Sequence, residues 1–267
     1  MRRPILLLLV SCVPLLASGL TVHPAWAGTL PDVAIVAAAA SSSSDPRFTD
    51  PQAKLMSTGQ FNSVTIINAA TGTPTLAQLQ AFESVMTWSN VNYSNPVLLG
   101  DTLADYVDSG GGVVVAVFAN STTTALRRLE GRWITGGYEV IPSASGNQTG
   151  QAFLGNILVP GHPTMNGVSS FDGGSSSFRP VTTSLTPGST KIAEWSDGKT
   201  LVAVGASIHR ADLGFYPPSN AVSSTWWNQN TDGALLMANA LTYVIPEPGT
   251  AVLMAAMLGG LLLRRRR

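Results

Sequence analysis

Short apolar runs alternate with helix-forming segments along the first half of the chain. The runs predict strands over 33–40, 64–68, 84–89 and 113–118. Two of them, 33–40 and 113–118, are apolar at every position, which is typical of strands buried on both faces of a parallel sheet. The first half therefore indicates a sheet that is covered on both sides.

Helix signals lie between these runs. Helices are predicted over 51–56, 76–82 and 96–107. Asp50 and Thr75 are suitable N-caps for the first two, and Pro51 would occupy the first helical position. The glycines at 110–112 end the third helix. Strands that alternate with helices in this way predict an α/β fold with a mostly parallel central sheet.

The second half of the chain has a looser pattern. Strands are predicted over 138–141, 191–195, 201–204 and 212–216, separated by clusters of glycine and serine. A closing helix is predicted over 232–244, where apolar residues recur on one face. Residues 28–245 are long enough for one domain with a substantial core.

The amino terminus has the features of a signal peptide over 1–27. Arg2 and Arg3 precede an apolar stretch over 5–16, and Ala25 and Ala27 supply the small residues before a cleavage point at Gly28. The alternative is a buried N-terminal helix. Prolines at positions 4, 14 and 24 disfavour one continuous helix.

The carboxyl terminus, 246–267, has a tripartite layout. Pro246, Glu247 and Pro248 precede an apolar run over 249–263, and four arginines follow. This layout resembles the PEP-CTERM sorting signal of Gram-negative bacteria. The resemblance implies export, a transient stay in the inner membrane and processing by an exosortase, with the cell envelope or the extracellular space as destination.

The length of the apolar run leaves a second interpretation open. As a hydrophobic helix, its 15 residues would span roughly 22 Å, which is short of a ~30 Å hydrocarbon core. The terminal arginines can snorkel and favour the cytoplasmic side. An ordinary C-terminal anchor that contains this motif by chance is the alternative.

The charge and the cysteine content of the chain argue against several classes of function. The chain is neutral, but six of its 15 basic residues lie in the two terminal segments, so residues 28–248 keep nine basic against 15 acidic residues, a net charge of −6. Such a body has no electrostatic footprint for nucleic acid. Cys12 is the only cysteine and would leave with the signal peptide, so we expect neither a disulfide nor a thiolate site.

The order of several short segments in the body resembles the ThuA-like and class I glutamine amidotransferase-like domains. These segments are 110–115, 162–168, 192–198, 213–217 and 232–241. The resemblance implies a flavodoxin-like three-layer sandwich. True amidotransferases of this class also carry a cysteine on a turn after a central strand and a late His-x-Glu pair. Here the turn near 118–121 has no cysteine and His209 is followed by Ala211 at the second position, so we expect no glutaminase activity.

Ligands of doubly wound sheets bind beyond the carboxyl ends of the strands. This rule places residues 41–50 and 119–124 around any pocket. The candidate ligand-binding residues are Asp45, Arg47, Asn120, Ser121 and His162. Solvated loops are the alternative interpretation. Histidines and aspartates lack metal-ligand spacing, so neither a metal nor another cofactor is predicted.

Catalytic residues are not apparent in the sequence. Ser121 could act as a nucleophile only with His162 or His209 within hydrogen-bond reach. Trp226 and Trp227 could stack on sugar rings or simply close the core. We therefore predict a non-catalytic binding or structural domain, with extracellular polysaccharide as a possible partner. A hydrolase acting on a polysaccharide or related ligand at the carboxyl edge of the sheet is the alternative.

Overall fold

The computed structural model describes residues 29–207 and 209–246, which form a sheet covered by helices. The strands are β1 (Asp32–Ala37), β2 (Ser63–Asn68), β3 (Ser84–Thr87), β4 (Gly112–Ala116), β5 (Asn147–Gln148), β6 (Leu154–Ile157), β7 (Arg179–Pro180), β8 (Thr190–Trp195), β9 (Thr200–Val204) and β10 (Arg210–Leu213). The α-helices are α1 (Pro46–Ser57), α2 (Leu76–Leu79), α3 (Pro96–Asp108), α4 (Arg132–Thr135) and α5 (Gly233–Val244).

The main sheet has eight strands in the order β2-β1-β3-β4-β10-β9-β8-β6. Strands β2, β1, β3, β4 and β10 are parallel to one another. Strands β9, β8 and β6 continue the sheet with antiparallel pairing. The parallel part has the 2-1-3-4-5 order of flavodoxin-like folds. The prediction of a mostly parallel α/β sandwich is therefore confirmed.

Each face of the sheet has its own hydrophobic core. Phe48 and Leu55 of α1 pack with Leu236 and Leu241 of α5 on one face. On the other face, Leu99, Leu103 and other residues of α3 pack with Leu79 of α2. Strands β1 and β4 are buried along almost their whole length, which explains their apolar sequences.

The predicted start of the first helix at Asp50 is wrong. Asp45 is the N-cap of α1, and its carboxylate accepts a hydrogen bond of 2.9 Å from the Arg47 amide. Pro46 begins the helix, and the fully buried Phe48 holds its first turn on the sheet. Because this first turn is buried, α1 begins four residues before Asp50, and Pro51 lies inside the helix.

The other helix predictions agree with the structure apart from their ends. Thr75 and Gln78 form a reciprocal capping box, but α2 ends at Leu79. Asn95 caps α3, and α5 begins at Gly233, one residue after the predicted start at Asp232.

The strand predictions of the second half are less accurate. Residues 138–141 are not a strand, because the Ile141 amide binds the Asp212 carboxylate instead of a neighbouring strand. The strand predicted at 212–216 lies earlier, as β10, and Tyr216 follows it in a loop. The edge strand β6 was not predicted.

The chain approaches position 246 at the amino edge of the sheet. The Val244 carbonyl of α5 lies so close to Gly112, at the start of β4, that a Cβ there would be 2.4 Å from its oxygen. Thr242 likewise contacts Gln60, which lies between α1 and β2.

The predicted signal peptide, as well as Glu247, Pro248 and the apolar run, lies outside the described residues. No helix in 29–207 or 209–246 is long and apolar enough to cross a bilayer.

Candidate functional site

Hydrogen bonds connect the segments that follow β3, β4 and β10 at the carboxyl edge of the sheet. The Phe118 amide after β4 donates to the Ser89 carbonyl after β3, at 3.3 Å. The Val117 amide donates to the Phe215 carbonyl after β10, at 3.2 Å. The Ser89 hydroxyl also donates to the Arg127 carbonyl at 2.5 Å, which fixes Arg127 above the same edge.

Four aromatic side chains form what we call the aromatic wall: Phe118, Phe178, Tyr216 and Trp226. The ring centroids of Phe118 and Phe178 are 4.9 Å apart, those of Phe118 and Tyr216 are 5.5 Å apart, and those of Tyr216 and Trp226 are 5.0 Å apart. Phe118 and Tyr216 are buried, whereas Phe178 and Trp226 are half-buried. The wall thus offers two partly accessible aromatic surfaces beside the strand ends.

Arg127 lies over this wall. Its guanidinium carbon is 4.8 Å from the centre of the Phe118 ring. The side chain is half-buried, and its Nε is buried without a hydrogen-bond partner among the described residues. Burial lowers the pKa of this guanidinium from its ordinary value.

Arg47 is held differently. The Asp45 carboxylate accepts two hydrogen bonds of 2.8 Å from its Nε and Nη2 atoms. These bonds hold the pKa of Asp45 below its ordinary value. The two predicted site residues therefore form a nearly neutral pair at the start of α1, and both remain partly exposed.

The Tyr216 hydroxyl is buried and has no hydrogen-bond partner among the described residues. Burial raises the pKa of this phenol, while the positive charges of Arg47 and Arg127 act in the opposite direction. The hydroxyl is therefore protonated at neutral pH and remains a hydrogen-bond donor.

Asn120, by contrast, has a structural position. It is buried, and its amide nitrogen donates to the carbonyls of Val115, at 3.0 Å, and Leu213, at 3.2 Å. It also donates to the Asp212 carboxylate at 3.2 Å. Asn120 thus ties the turn after β4 to β10 rather than presenting its amide group to the aromatic wall.

Asp212 completes this buried connection. Its carboxylate accepts a bond of 3.1 Å from the Ile141 amide as well as the one from Asn120. Burial raises its pKa to about 8, against an ordinary value of 3.8. The carboxyl group is thus largely protonated below neutral pH.

The structure does not bring Ser121 together with a histidine. Ser121 is fully buried and its hydroxyl has no partner among the described residues. His162 packs 4.8 Å from Tyr243, near the end of α5, and therefore lies towards the amino edge. The His209 carbonyl accepts from the Val113 amide at the start of β4, which places His209 at that edge too.

Of the other residues singled out in the sequence, Trp227 and Asp50 have structural contacts, and Trp226 belongs to the aromatic wall. Trp227 is buried and donates to the Pro217 carbonyl at 2.8 Å, whereas Trp226 belongs to the wall. The Asp50 carboxylate accepts from the Ser219 amide at 2.7 Å and so holds the loop before α5. Within 29–207 and 209–246, acidic residues and histidines form no cluster suited to a metal ion.

Comparison with known proteins identifies the fold. No known family profile and no curated protein sequence matches the chain. A ThuA-like protein from Bacteroides uniformis matches with a TM-score of 0.58 and 13% identity, over 85% of this chain and 97% of its own. A ThuA-like protein from Parabacteroides merdae gives a TM-score of 0.54 and 10% identity, over 81% and 90%. A glutamine amidotransferase from Thermotoga maritima gives 0.52 and 8%, over 82% and 100%.

The body has the ThuA-like, amidotransferase-like fold. The resemblance inferred from sequence is thus confirmed for the architecture of the body. In this amidotransferase-like fold, the turn after β4 carries Phe118, Asn120 and Ser121, and it contains no thiol. The aromatic wall begins at this turn.

Two residues of the candidate site, Arg127 and Phe178, were not predicted from the sequence. Arg127 lies just beyond the predicted loop 119–124, and its basic side chain after a central strand was a usable signal. Phe178 comes from a glycine- and serine-rich loop before β7, and no local pattern marks it. Tyr216 was expected in a strand and is instead part of the wall.

Proposed function

We propose that this chain is an exported protein of the cell envelope or extracellular matrix, and that its amidotransferase-like body is a non-catalytic binding domain for a polysaccharide. In this proposal, the tail is a PEP-CTERM signal, and an exosortase and the inner membrane are its transient partners. The observation that carries the binding role is the aromatic wall at the carboxyl edge of the sheet.

The wall has the chemistry of a sugar site. One face of a sugar ring presents C–H groups, which pack well against an aromatic ring, while its hydroxyls remain available to polar groups. Phe178 and Trp226 supply partly accessible aromatic surface, and Arg127 supplies a polar group over Phe118. The Asp45–Arg47 pair follows the carboxyl end of β1. The site also lies where α/β sheets of this topology bind ligands.

The arrangement of the histidines favours binding over hydrolysis. A serine nucleophile needs a base within hydrogen-bond reach, and the imidazoles of His162 and His209 lie towards the opposite edge from Ser121. The hydrolase alternative would therefore require a different set of groups at the wall, and no observation favours one.

The sorting proposal rests on the sequence of the tail and is compatible with the fold. The chain reaches Pro246 at the amino edge, so a membrane-held tail would leave the carboxyl edge accessible.

The binding role can be tested with the purified protein and a panel of neutral and acidic polysaccharides in affinity electrophoresis. We expect retardation by at least one polysaccharide and its loss in Trp226→Ala. Tyr243→Ala removes another half-buried aromatic side chain near the amino edge and should bind normally. Unchanged binding by Trp226→Ala, or cleavage of the retained polysaccharide, would contradict the proposal.

A further inference from the structure

We propose that the ligand of the aromatic wall carries a carboxylate, which binds between the Arg127 guanidinium and the Tyr216 hydroxyl. This inference rests on the proposed function, because it concerns the same site, and it names the chemical class of the ligand as an acidic sugar. A free inorganic anion could supply similar chemistry, and the experiment below distinguishes the two sources.

The first argument is the unpaired charge of Arg127. The other described arginines are Arg47, Arg128, Arg132, Arg179 and Arg210, and the side chain of each donates to a carboxylate or a backbone carbonyl. Among the arginines in 29–207 and 209–246, Arg127 alone makes neither a side-chain hydrogen bond nor an ion pair. A partly buried charge without a partner is costly, and an anionic ligand would remove that cost.

The second argument is the buried hydroxyl of Tyr216. It is only 4% exposed as a residue, and its oxygen has no partner among the described residues. A buried polar atom without a partner costs free energy that a ligand acceptor could recover. Phe118 lies between the two groups, because its ring centroid is 4.8 Å from the Arg127 guanidinium carbon and 5.5 Å from the Tyr216 ring centroid.

The third argument concerns the charge of the anion. Asp45 already neutralises Arg47 through two hydrogen bonds, whereas Arg127 has no acidic partner. The site therefore has a net charge close to +1, which one carboxylate matches better than a doubly charged phosphate. A guanidinium fork also suits the two oxygens of a carboxylate geometrically.

The fourth argument is the geometry of the wall. Arg127 lies 4.8 Å above Phe118, and Phe118 is 4.9 Å from the partly accessible Phe178. A sugar ring packed against Phe178 would bring a carboxylate substituent towards Arg127, because Phe178 and Arg127 both contact Phe118. Uronic acids combine these two features, namely an apolar ring face and a carboxylate attached to the ring.

The test measures affinity by isothermal titration for three probes: oligogalacturonate, the same oligosaccharide with its carboxylates reduced to alcohols, and inorganic phosphate. We expect oligogalacturonate to bind about tenfold more tightly than the reduced form, because its carboxylate would gain a hydrogen bond from a charged group. Phosphate should compete weakly. Arg127→Gln should abolish the preference for the acidic form while binding of the neutral form remains.

Arg132→Gln is the matched control. It removes the same charge from an arginine that pairs with Asp105 and Asp108 on α3, outside the aromatic wall. Arg127→Lys keeps the charge but loses the planar fork, so it should recover only part of the preference. The thermal unfolding temperature of each variant is compared with that of the parent, to check that a change in affinity does not come from a loss of fold.

The outcomes separate the two proposals. Equal affinity for the acidic and neutral oligosaccharides would overturn the carboxylate site and leave the polysaccharide-binding role standing. Strong phosphate binding that depends on Arg127, without oligosaccharide binding, would contradict both the acidic sugar and the polysaccharide role. Acid preference that survives in Arg127→Gln would place the carboxylate elsewhere and overturn the inference.

Discussion

Tyr216→Phe should stabilise the protein while weakening the binding of an acidic ligand. The substitution removes only the phenolic oxygen. The ring keeps its contacts with Phe118 and Trp226, whose centroids lie 5.5 Å and 5.0 Å away. The hydroxyl is buried and has no partner among the described residues, so its removal breaks no hydrogen bond within them.

The magnitude follows from the cost of a buried polar group without a partner. That cost is about 1–3 kcal/mol, and a small relaxation of the ring reduces what is recovered, so we expect a gain of about 1 kcal/mol in the free energy of unfolding. The same oxygen would donate to a charged carboxylate in the complex. Its loss should weaken oligogalacturonate binding about tenfold, with little effect on the neutral oligosaccharide.

Tyr106→Phe is a matched control for stability. Its hydroxyl is also largely buried, but it donates to the Phe82 carbonyl at 2.7 Å. Removing it leaves that carbonyl without its partner, so we expect a loss of about 1–2 kcal/mol. Urea unfolding of both variants and the parent, with unchanged m-values, gives the comparison. A loss of stability in Tyr216→Phe similar to that in Tyr106→Phe would show that the Tyr216 hydroxyl already has a partner, and the reasoning would fail.

Three further perturbations test the buried carboxyl group, the helix packing and the tail. Burial raises the pKa of Asp212 to about 8 from an ordinary 3.8, so between about pH 4 and pH 8 the folded protein retains a proton that the unfolded chain loses. The free energy of unfolding, measured by urea titration, should therefore fall as the pH rises through this range. Asp212→Asn should make the free energy of unfolding less dependent on pH. Gly100→Ala should destabilise by about 1–3 kcal/mol in thermal unfolding despite the better helix propensity of alanine, because the new Cβ would lie 2.0 Å from the Glu130 carbonyl oxygen. Intact mass of the exported protein from a host with an exosortase should show loss of the residues beyond the motif at 246–248, and a mass that includes Arg267 would contradict processing.

The fold was predictable because burial leaves a direct record in the sequence. Strands β1 and β4 are covered on both faces, and every residue of the two strands after Asp32 is therefore apolar. The start of α2 and the end of α3 also carry clear signals, at Thr75 and in the glycines at 110–112. The same logic failed at 138–141, because Val140 and Ile141 are buried as a cover over β9 and β10 without joining the sheet.

The candidate site lies where the rule for doubly wound sheets places ligands, but its composition does not follow from the sequence. The rule drew attention to the turn after β4, from which Phe118 joins the aromatic wall. Which side chains meet there depends on long-range contacts, such as the bond from the Val117 amide to the Phe215 carbonyl that sets Tyr216 beside Phe118. Sequence patterns report burial and local caps, and they do not report which loops converge. Asn120 illustrates the limit, because its polar side chain suggested a ligand contact but binds two strand ends.

The aromatic wall and residue 246 lie at opposite edges of the sheet, which determines how a tail held in the membrane would leave the domain oriented. Helix α5 runs back across the sheet and ends where Val244 meets Gly112, at the amino edge, whereas Phe118 and Tyr216 follow the carboxyl ends of β4 and β10. A tail held in the inner membrane would therefore be attached on the side away from the wall. Ligand binding should then be independent of whether the tail has been removed.

This expectation can be tested with Glu247→Ala, which should block processing and retain the protein in the inner membrane with its body outside the cytoplasm. We expect spheroplasts that display this form to bind a fluorescent acidic oligosaccharide with the same affinity as the processed, exported protein, because the membrane attachment leaves the wall uncovered. Arg127→Gln in the same background should lower the affinity for the acidic oligosaccharide to that for its neutral form, and thereby show that binding occurs at the wall. An affinity that is much lower for the membrane-held form, although its body is accessible to added protease, would mean that the bilayer covers the carboxyl edge and that the tail approaches the domain from the other side.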